Sequence, residues 1–192
     1  EFFSENVVKL EVEAPLIARS RKAGHFVIVR VDANGERIPL TIADSNIEKG
    51  TITLVVQRIG ASSTKIANLN VGDELLDVVG PLGKATHIEK FGTVVCSGGG
   101  VGVAPLLPII KAMKEAGNKV ISVLAARTKD LVILEKQVRE YSDEVIVMTD
   151  DGSYGKVGRV TDGIEELAKR EKIDLCVTIG PAIMMKFVSL LT

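Results

Sequence analysis

The spacing of apolar residues changes once along this chain, near residue 91, and that change constrains the fold more than any other feature. Before it, apolar residues alternate with polar ones or gather in runs too short for a helix: Val7–Glu13, His25–Val31, Ile38–Ala43, Thr51–Gln57 and Glu74–Val79. Gly24, Lys49-Gly50 and Val71-Gly72-Asp73 punctuate these runs, and only Ser63–Asn68 reads as a short helix. Strands at this spacing predict a small antiparallel barrel or sandwich. Beyond residue 91, strand-like and helix-like stretches take turns. Thr93–Ser97, Lys119–Leu124, Glu144–Met148 and Leu175–Ile179 read as buried strands, and Val101–Ala116, Leu131–Tyr141 and Val160–Arg170 as helices. Such alternation predicts βαβ units in a doubly wound parallel sheet with helices on both faces. The fold class is therefore β followed by α/β: an N-terminal antiparallel β-barrel over residues 1–91 and a nucleotide-binding-type α/β domain over residues 92–192. The boundary is expected at Glu89–Gly92.

Composition narrows the function classes. Lys and Arg number 24 against 25 Asp and Glu, a formal charge of -1. No basic excess exists to attract nucleic acid. A 46% hydrophobic content argues against disorder, and the apolar runs are too short to span a membrane. No signal peptide is visible, although the chain opens on Glu1 rather than Met. The final stretch, Ala182–Thr192, reads as a helix with no cap, so the chain is expected to continue past it. Two cysteines, Cys96 and Cys176, are too few to hold zinc or an iron–sulfur centre, and His25 and His87 are isolated, so no metal site is expected. Both cysteines are expected to be reduced and on strands, in a cytoplasmic protein.

Between the first strand and first helix of the second half lies Cys96-Ser97-Gly98-Gly99-Gly100-Val101-Gly102-Val103-Ala104-Pro105. Successive glycines let the backbone come within hydrogen-bonding distance of a ligand, and a helix start offers free N–H groups to a phosphate. The spacing is neither G-x-G-x-x-G nor a P-loop, and a tight strand-to-helix turn is the plain alternative. Further features follow the other strands: Arg127 after Leu124-Ala125-Ala126, Thr149-Asp150-Asp151-Gly152-Ser153, and Gly180-Pro181. Each alone reads equally well as a solvated charge, a turn or a helix start. Their common place at strand ends is where open α/β sheets bind ligands.

In the first half, Arg37-Ile38-Pro39-Leu40-Thr41 joins a cation, a rigid residue, an apolar side chain and a hydroxyl. Arg37 could pair with a pyrophosphate as a planar donor, Leu40 could pack on a flat ring, and Thr41 could hydrogen-bond its edge. Gly60-Ala61-Ser62-Ser63-Thr64 precedes the short helix as a second anion site, and Gly80-Pro81-Leu82-Gly83 closes the half with a turn. An exposed Arg and an ordinary capped helix explain these residues as well.

Taken in order, R-x-P-x-[ST], G-x-x-[ST]-T, G-P-L-G, G-G-G-x-G-x-A-P, D-D-G-S and G-P-x-x-M resemble the ferredoxin–NADP reductase superfamily over nearly the whole chain. The chain is most similar to two subgroups: the small (alpha) subunit of NADH-dependent ferredoxin:NADP oxidoreductase, or sulfide dehydrogenase type, and the electron-transfer subunit of dihydroorotate dehydrogenase. Arg37–Asp44 and Thr149–Gly155 point to the first. The resemblance implies FAD on the barrel and a nicotinamide nucleotide, NAD(P)H, on the α/β domain. It places Arg37, Ser62, Ser63 and Thr64, with Gly60 and Pro39, at the FAD pyrophosphate side. Leu40 would lie against the isoalloxazine, and Thr41, the one residue given a catalytic place, would reach toward its N5 edge. Gly99, Gly100, Val101 and Gly102 would carry the nicotinamide nucleotide, with Arg127, Asp150 and Asp151 near its ribose or adenine. Gly180, Pro181 and Met184 would line the nicotinamide end. Leu40 departs from the Tyr common in plant-type reductases, which removes aromatic stacking there.

The resemblance further implies hydride transfer between nicotinamide and flavin. Electrons would then pass to a [2Fe-2S] centre, either in a C-terminal segment beyond this chain or in a partner, a larger flavin/iron–sulfur or dehydrogenase subunit. Such chemistry belongs to the cofactors and needs position more than an ionisable acid or base. A nucleotide-binding regulatory module without a redox step is the alternative on the same fold.

Overall fold

In the computed structural model, which describes residues 1–192, the chain divides between Thr86 and His87. In the first unit six strands form one antiparallel, barrel-like sheet: β1 (Phe2–Ser4), β2 (Val7–Glu13), β3 (Phe26–Arg30), β4 (Ile38–Asn46), β5 (Thr51–Gln57) and β6 (Asp77–Leu82). Their order is β1-β2-β5-β4-β3-β6. Alternation sends Val8 of β2, Val27 and Val29 of β3, and Ile52, Leu54 and Val56 of β5 into one core with Ile42. Two short helices, α1 (Pro15–Ser20) and α2 (Ala61–Ala67), add Ile17, Ala18, Ile66 and Ala67 to it. Burial of each large side chain there contributes about 1.5–3 kcal/mol.

Three features of this unit differ from the sequence reading. Helix α1 was not expected. It is six residues long, too short to show helical periodicity, and its signal is Pro15 in the first turn. Strand β1 was also missed. Strand β6 runs through Gly80-Pro81, which reads in sequence as a closing turn, instead of ending at Val79. A register shift opposite Phe26 and Ile28 of β3 admits the pair into the ladder, and at Gly80 a β-carbon would lie 2.7 Å from Val27 Cγ1. Pro39 sits in β4 without breaking a ladder, because there β4 pairs with β3 alone; its pairing with β5 begins at Ile42.

The second unit is a five-stranded sheet of β7 (Thr93–Gly99), β8 (Lys119–Ala126), β9 (Glu144–Thr149), β10 (Lys156–Val157) and β11 (Leu175–Ile179). Every neighbouring pair is parallel, in the order β10-β9-β8-β7-β11. The helices are α3 (Val103–Glu115), α4 (Glu135–Glu140), α5 (Val160–Ala168) and α6 (Ala182–Leu191). Val95, Ile121, Val123, Ile146 and Met148 face Val160, Ile164 and Leu167 of α5 and Val188 of α6. Val94, Cys96, Val120 and Leu124 alternate with them, and Leu106, Ile110 and Met113 of α3 are buried as well. Helix α4 is shorter than the Leu131–Tyr141 expected. Leu134, its N-terminal flanking residue, takes a left-handed φ of 57°, which stops the helix from extending backward. No helix is long and apolar enough to cross a membrane.

From β7 the chain adds β8, β9 and β10 on one side and then returns to place β11 on the other. The strand order therefore reverses between β7 and β11, the position at which open α/β sheets bind ligands.

The division between units precedes the expected boundary at residues 91 and 92. Asn118, 3% exposed, fixes the opening segment of the second unit. Its Oδ1 accepts from the amides of Phe91 (2.7 Å) and Gly92 (3.0 Å), and its Nδ2 donates to the carbonyls of Glu89 and Met113 (both 2.8 Å). Asn118→Ala is expected to lower stability by about 2–3 kcal/mol, because it strands buried backbone groups. Chemical denaturation checks this, and an unchanged midpoint would refute the linchpin role.

Candidate functional site

In the first unit the two sequence-predicted segments meet. Ser62 Oγ donates to Glu36 Oε2, joining residues 26 apart in sequence and setting the Arg37 loop beside the Gly60–Thr64 turn. Arg37 is exposed at its side chain (58%), and its Nη2 donates to Asp77 Oδ2 at 3.2 Å. The same oxygen accepts from Arg30 Nε at 2.6 Å. Arg30 and Asp77 are register partners on β3 and β6, so the sheet fixes this carboxylate between two guanidinium groups. Sequence reasoning missed Arg30 and Asp77, because only strand pairing brings them to Arg37.

Pro39, Leu40 and Thr41 follow on β4, Pro39 exposed and the other two half-buried. At the α2 turn, Ser63 Oγ accepts from the amides of Ile59 (3.1 Å) and Gly60 (3.0 Å) and so orders the loop. The Thr64 amide donates to the Gly60 carbonyl at 3.0 Å. Gly60 itself has an extended φ of -155°, and a β-carbon built on it meets no atom within 4 Å. Neither backbone conformation nor crowding within the protein requires glycine at that position.

In the second unit the ends of β9, β8, β7 and β11 bring the remaining residues to one edge of the sheet. Gly99 ends β7, and Gly100–Gly102, with half-buried Val101, form a 3-10 turn leading into α3. The glycines here do different things. A β-carbon on Gly102 would lie 2.5 Å from the Ile179 carbonyl oxygen, so that glycine lets β11 approach. Gly100 has a left-handed φ of 54° and open space beside it. Gly99 and Gly180 are both covered by Met184: its Sδ lies 2.5 Å from the β-carbon position of Gly99, and its Cε 2.6 Å from that of Gly180. Pro181 Cδ is 3.2 Å from the Gly99 position.

Ser97 and Thr178 are paired across β7 and β11 just below these glycines; the Thr178 hydroxyl is buried without a hydrogen-bond partner, and that of Ser97 lies beside the Cys176 thiol. Cys96 is fully buried and its thiol is pushed up to about 12 by burial, so it is no nucleophile. Burial also raises the half-buried Cys176 thiol, and neither cysteine is in a disulfide.

Arg127 is exposed after β8, and Asp150 and Asp151 are exposed after β9. The Asp151 amide donates to the Arg127 carbonyl at 3.3 Å. Ser153, which the sequence reading left without a role of its own, joins the two loops. Its Oγ accepts from the Lys129 amide at 2.9 Å and donates to Asp151 Oδ1 at 2.6 Å. The hydrogen bonds from the Ser153 hydroxyl and amide hold the Asp151 carboxyl below the usual carboxylate range. Tyr154 extends the cluster: its hydroxyl donates to Glu135 Oε1 at 3.1 Å, and Lys129 Nζ lies 5.6 Å from its ring centre. No group of three or more His, Cys, Asp or Glu is gathered as a metal site.

The profile of the oxidoreductase NAD-binding domain family matches residues 97–190. A dihydroorotate dehydrogenase B (NAD(+)) electron transfer subunit homolog of Thermotoga maritima is 46% identical over 187 residues, covering 97% of this chain and 66% of the relative. The electron transfer subunit of dihydroorotate dehydrogenase B from Bacillus caldolyticus is 34% identical over 189 residues, covering 95% of this chain and 72% of the relative. A solved structure of an NADH-dependent reduced ferredoxin-NADP oxidoreductase, described for flavin-based electron bifurcation, superposes with a TM-score of 0.94 at 43% identity. It covers 100% of this chain and 69% of that one. The chain thus spans about two thirds of the length of these relatives.

Two outcomes follow from the geometry. Gly102→Ala is expected to cost about 1–3 kcal/mol, because its β-carbon meets backbone that cannot rotate away. Gly60→Ala should cost less than about 1 kcal/mol, since its conformation suits any residue; paired thermal melts compare the two. Ser153→Ala should raise the Asp151 pKa toward the ordinary value of about 3.9. With a depressed folded pKa, the wild-type interaction is present in full above that ordinary value and is lost as pH falls through the depressed one. An NMR titration of the Asp151 carboxyl carbon reads the shift, and an unmoved curve would contradict the assignment.

Proposed function

Because the chain belongs to the ferredoxin–NADP reductase superfamily, in the family of dihydroorotate dehydrogenase B electron-transfer subunits and their homologues, we propose that it is the FAD- and NAD(H)-binding part of an electron-transfer flavoprotein. The reaction is hydride transfer between nicotinamide and flavin, with electrons passed on to an iron–sulfur centre. That centre would lie in a further segment or in a larger partner subunit. The choice of NAD(H) follows the relatives' names, which specify NAD(+) or NADH.

The residues present fit both groups. On the first unit, Arg37 supplies a planar donor for a pyrophosphate, beside the hydroxyls of Ser62 and Thr64. Gly60 carries this reading: nothing in the protein fills the space beside it, and a close-approaching phosphate gives that space a use. Leu40 would pack on the flat ring and Thr41 would offer its hydroxyl to the ring edge. FAD, when bound, supplies a ring that takes up a hydride and releases electrons singly. On the second unit, Gly100–Gly102 would admit the nucleotide's phosphates, Arg127, Asp150 and Asp151 would meet its adenosine half, and Gly180 and Pro181 its nicotinamide end. The residues here bind and orient, and none is required to exchange a proton. Two free cysteines on neighbouring strands favour a reducing compartment, the cytoplasm.

The test is to purify the full-length protein and record its visible spectrum before and after adding NADH. A flavin band that NADH bleaches supports the reading. A colourless protein that takes up no FAD would leave only a nucleotide-binding module. Arg37→Ala and Gly60→Ala should each weaken FAD binding about tenfold or more, as expected for loss of one charge-assisted contact or filling of its space. Unchanged FAD affinity in both variants would remove the pyrophosphate site from this loop pair.

A further inference from the structure

The loop that carries Arg37 presents two carboxylates, Asp32 and Glu36, and the strand beside it a third, Asp77. Two of the three are neutralised by cations. Asp32 faces Lys65 at 3.3 Å, and Asp77 receives both Arg30 and Arg37. Glu36 faces no cation. It is exposed, and its partner is the half-buried hydroxyl of Ser62, which donates to Oε2. Ser62 in turn stands two residues after Gly60, whose side is open to solvent with no atom within 4 Å of a β-carbon position. An ionised acceptor without a counter-charge therefore borders the turn that is read as a phosphate site.

The hydrogen-bond inventory restricts what that acceptor can serve. A carboxylate accepts and does not donate, and beside a phosphate it meets like charge, so the ligand group it suits is a neutral donor. Ser62 has one hydroxyl proton to give. In the free protein that proton goes to Glu36. A phosphate oxygen at the turn also only accepts, and it competes for the same proton. Once Ser62 turns to the phosphate, Glu36 has lost its donor, and a replacement must come from a group next to the phosphate. Flavin nucleotides carry sugar hydroxyls in that position. We propose that Glu36 is the acceptor for a sugar hydroxyl of the bound flavin nucleotide, released for that contact when Ser62 turns to the phosphate. This inference rests on the reading of the Arg37 and Gly60–Thr64 loops as the flavin phosphate site. The hydroxyl belongs to the ribityl chain or to the ribose of the adenosine half; the chemistry that recognises it is the same.

A contact with the ligand is separable from a tether between two loops. The experiment titrates FAD and FMN into flavin-stripped full-length protein, as wild type and as Glu36→Ala, Glu36→Gln, Ser62→Ala and the Glu36→Ala/Ser62→Ala double variant. Glu36→Ala is expected to weaken FAD binding about tenfold, and by a similar factor when Ser62 is already alanine. Glu36→Gln keeps an acceptor oxygen and should recover part of that loss. FMN affinity unchanged in Glu36→Ala assigns the hydroxyl to the ribose, and an FMN loss equal to that of FAD assigns it to the ribityl chain. Unchanged FAD affinity in Glu36→Ala overturns the proposal. So does a loss that vanishes in the Ser62→Ala background, which makes Glu36 a tether only. Tighter FAD binding in Glu36→Gln than in wild type also overturns it, since Glu36 would then act by charge repulsion. Wild type that takes up no FAD, or FAD affinity unmoved by both Arg37→Ala and Gly60→Ala, would instead remove the underlying phosphate site.

Discussion

The backbone of Gly102 passes so close to β11 that a β-carbon there would lie 2.5 Å from the Ile179 carbonyl, and the carboxyl edge of the parallel sheet is built on this approach. Any side chain at Gly102 would push the start of α3 away from β11. With that contact made, β7 and β11 lie in register from Val94 to Gly98. The Gly100–Gly102 turn and the Gly180-Pro181 turn then emerge side by side. The glycine run thus does two jobs that its sequence does not separate. Gly102 serves packing, whereas Gly100 combines a left-handed backbone with open space.

The first unit reaches its site by a different route, through charge. One carboxylate oxygen of Asp77 receives both Arg30 and Arg37. Arg30 is largely covered at its side chain (20%) and is held by strand pairing, while Arg37 is mostly exposed. The inner arginine therefore neutralises Asp77, and the outer one keeps its charge at the surface. An exposed arginine without that support would have more rotamers to lose on binding, and so would bind less tightly. Near-zero net charge for the whole chain is compatible with this arrangement, because one positioned guanidinium replaces a general positive field.

Period and punctuation made the architecture legible. The alternation in Thr51–Gln57 and the helical spacing in Val101–Ala116 each report which face is buried, and burial is what fixes strands and helices. Elements of a few residues, such as α1, β1 and β10, bury too little to leave a pattern. Strand β6 was misplaced because Gly80-Pro81 has the chemistry of a turn, while its conformation is set by the bulged pairing with β3. The segments of the candidate site could be named from sequence, but their support could not. Asp77, Ser153 and Asn118 matter through partners that are distant in sequence, among them Arg37, Lys129 and Phe91. Such pairings exist only once the strands have been placed beside one another.

Hydride transfer of the kind proposed needs position above all, and the backbone exposed at these strand ends suits that need. Where the bound groups supply the electrons, the protein gains nothing from a base with a raised pKa and much from surfaces that hold two flat rings in fixed places. Backbone is the stiffest such surface, and glycine exposes it. Yet a backbone seat left bare would also be a void lined by atoms without contacts, which destabilises the fold. Met184, whose thioether covers Gly99 and Gly180, fills that space.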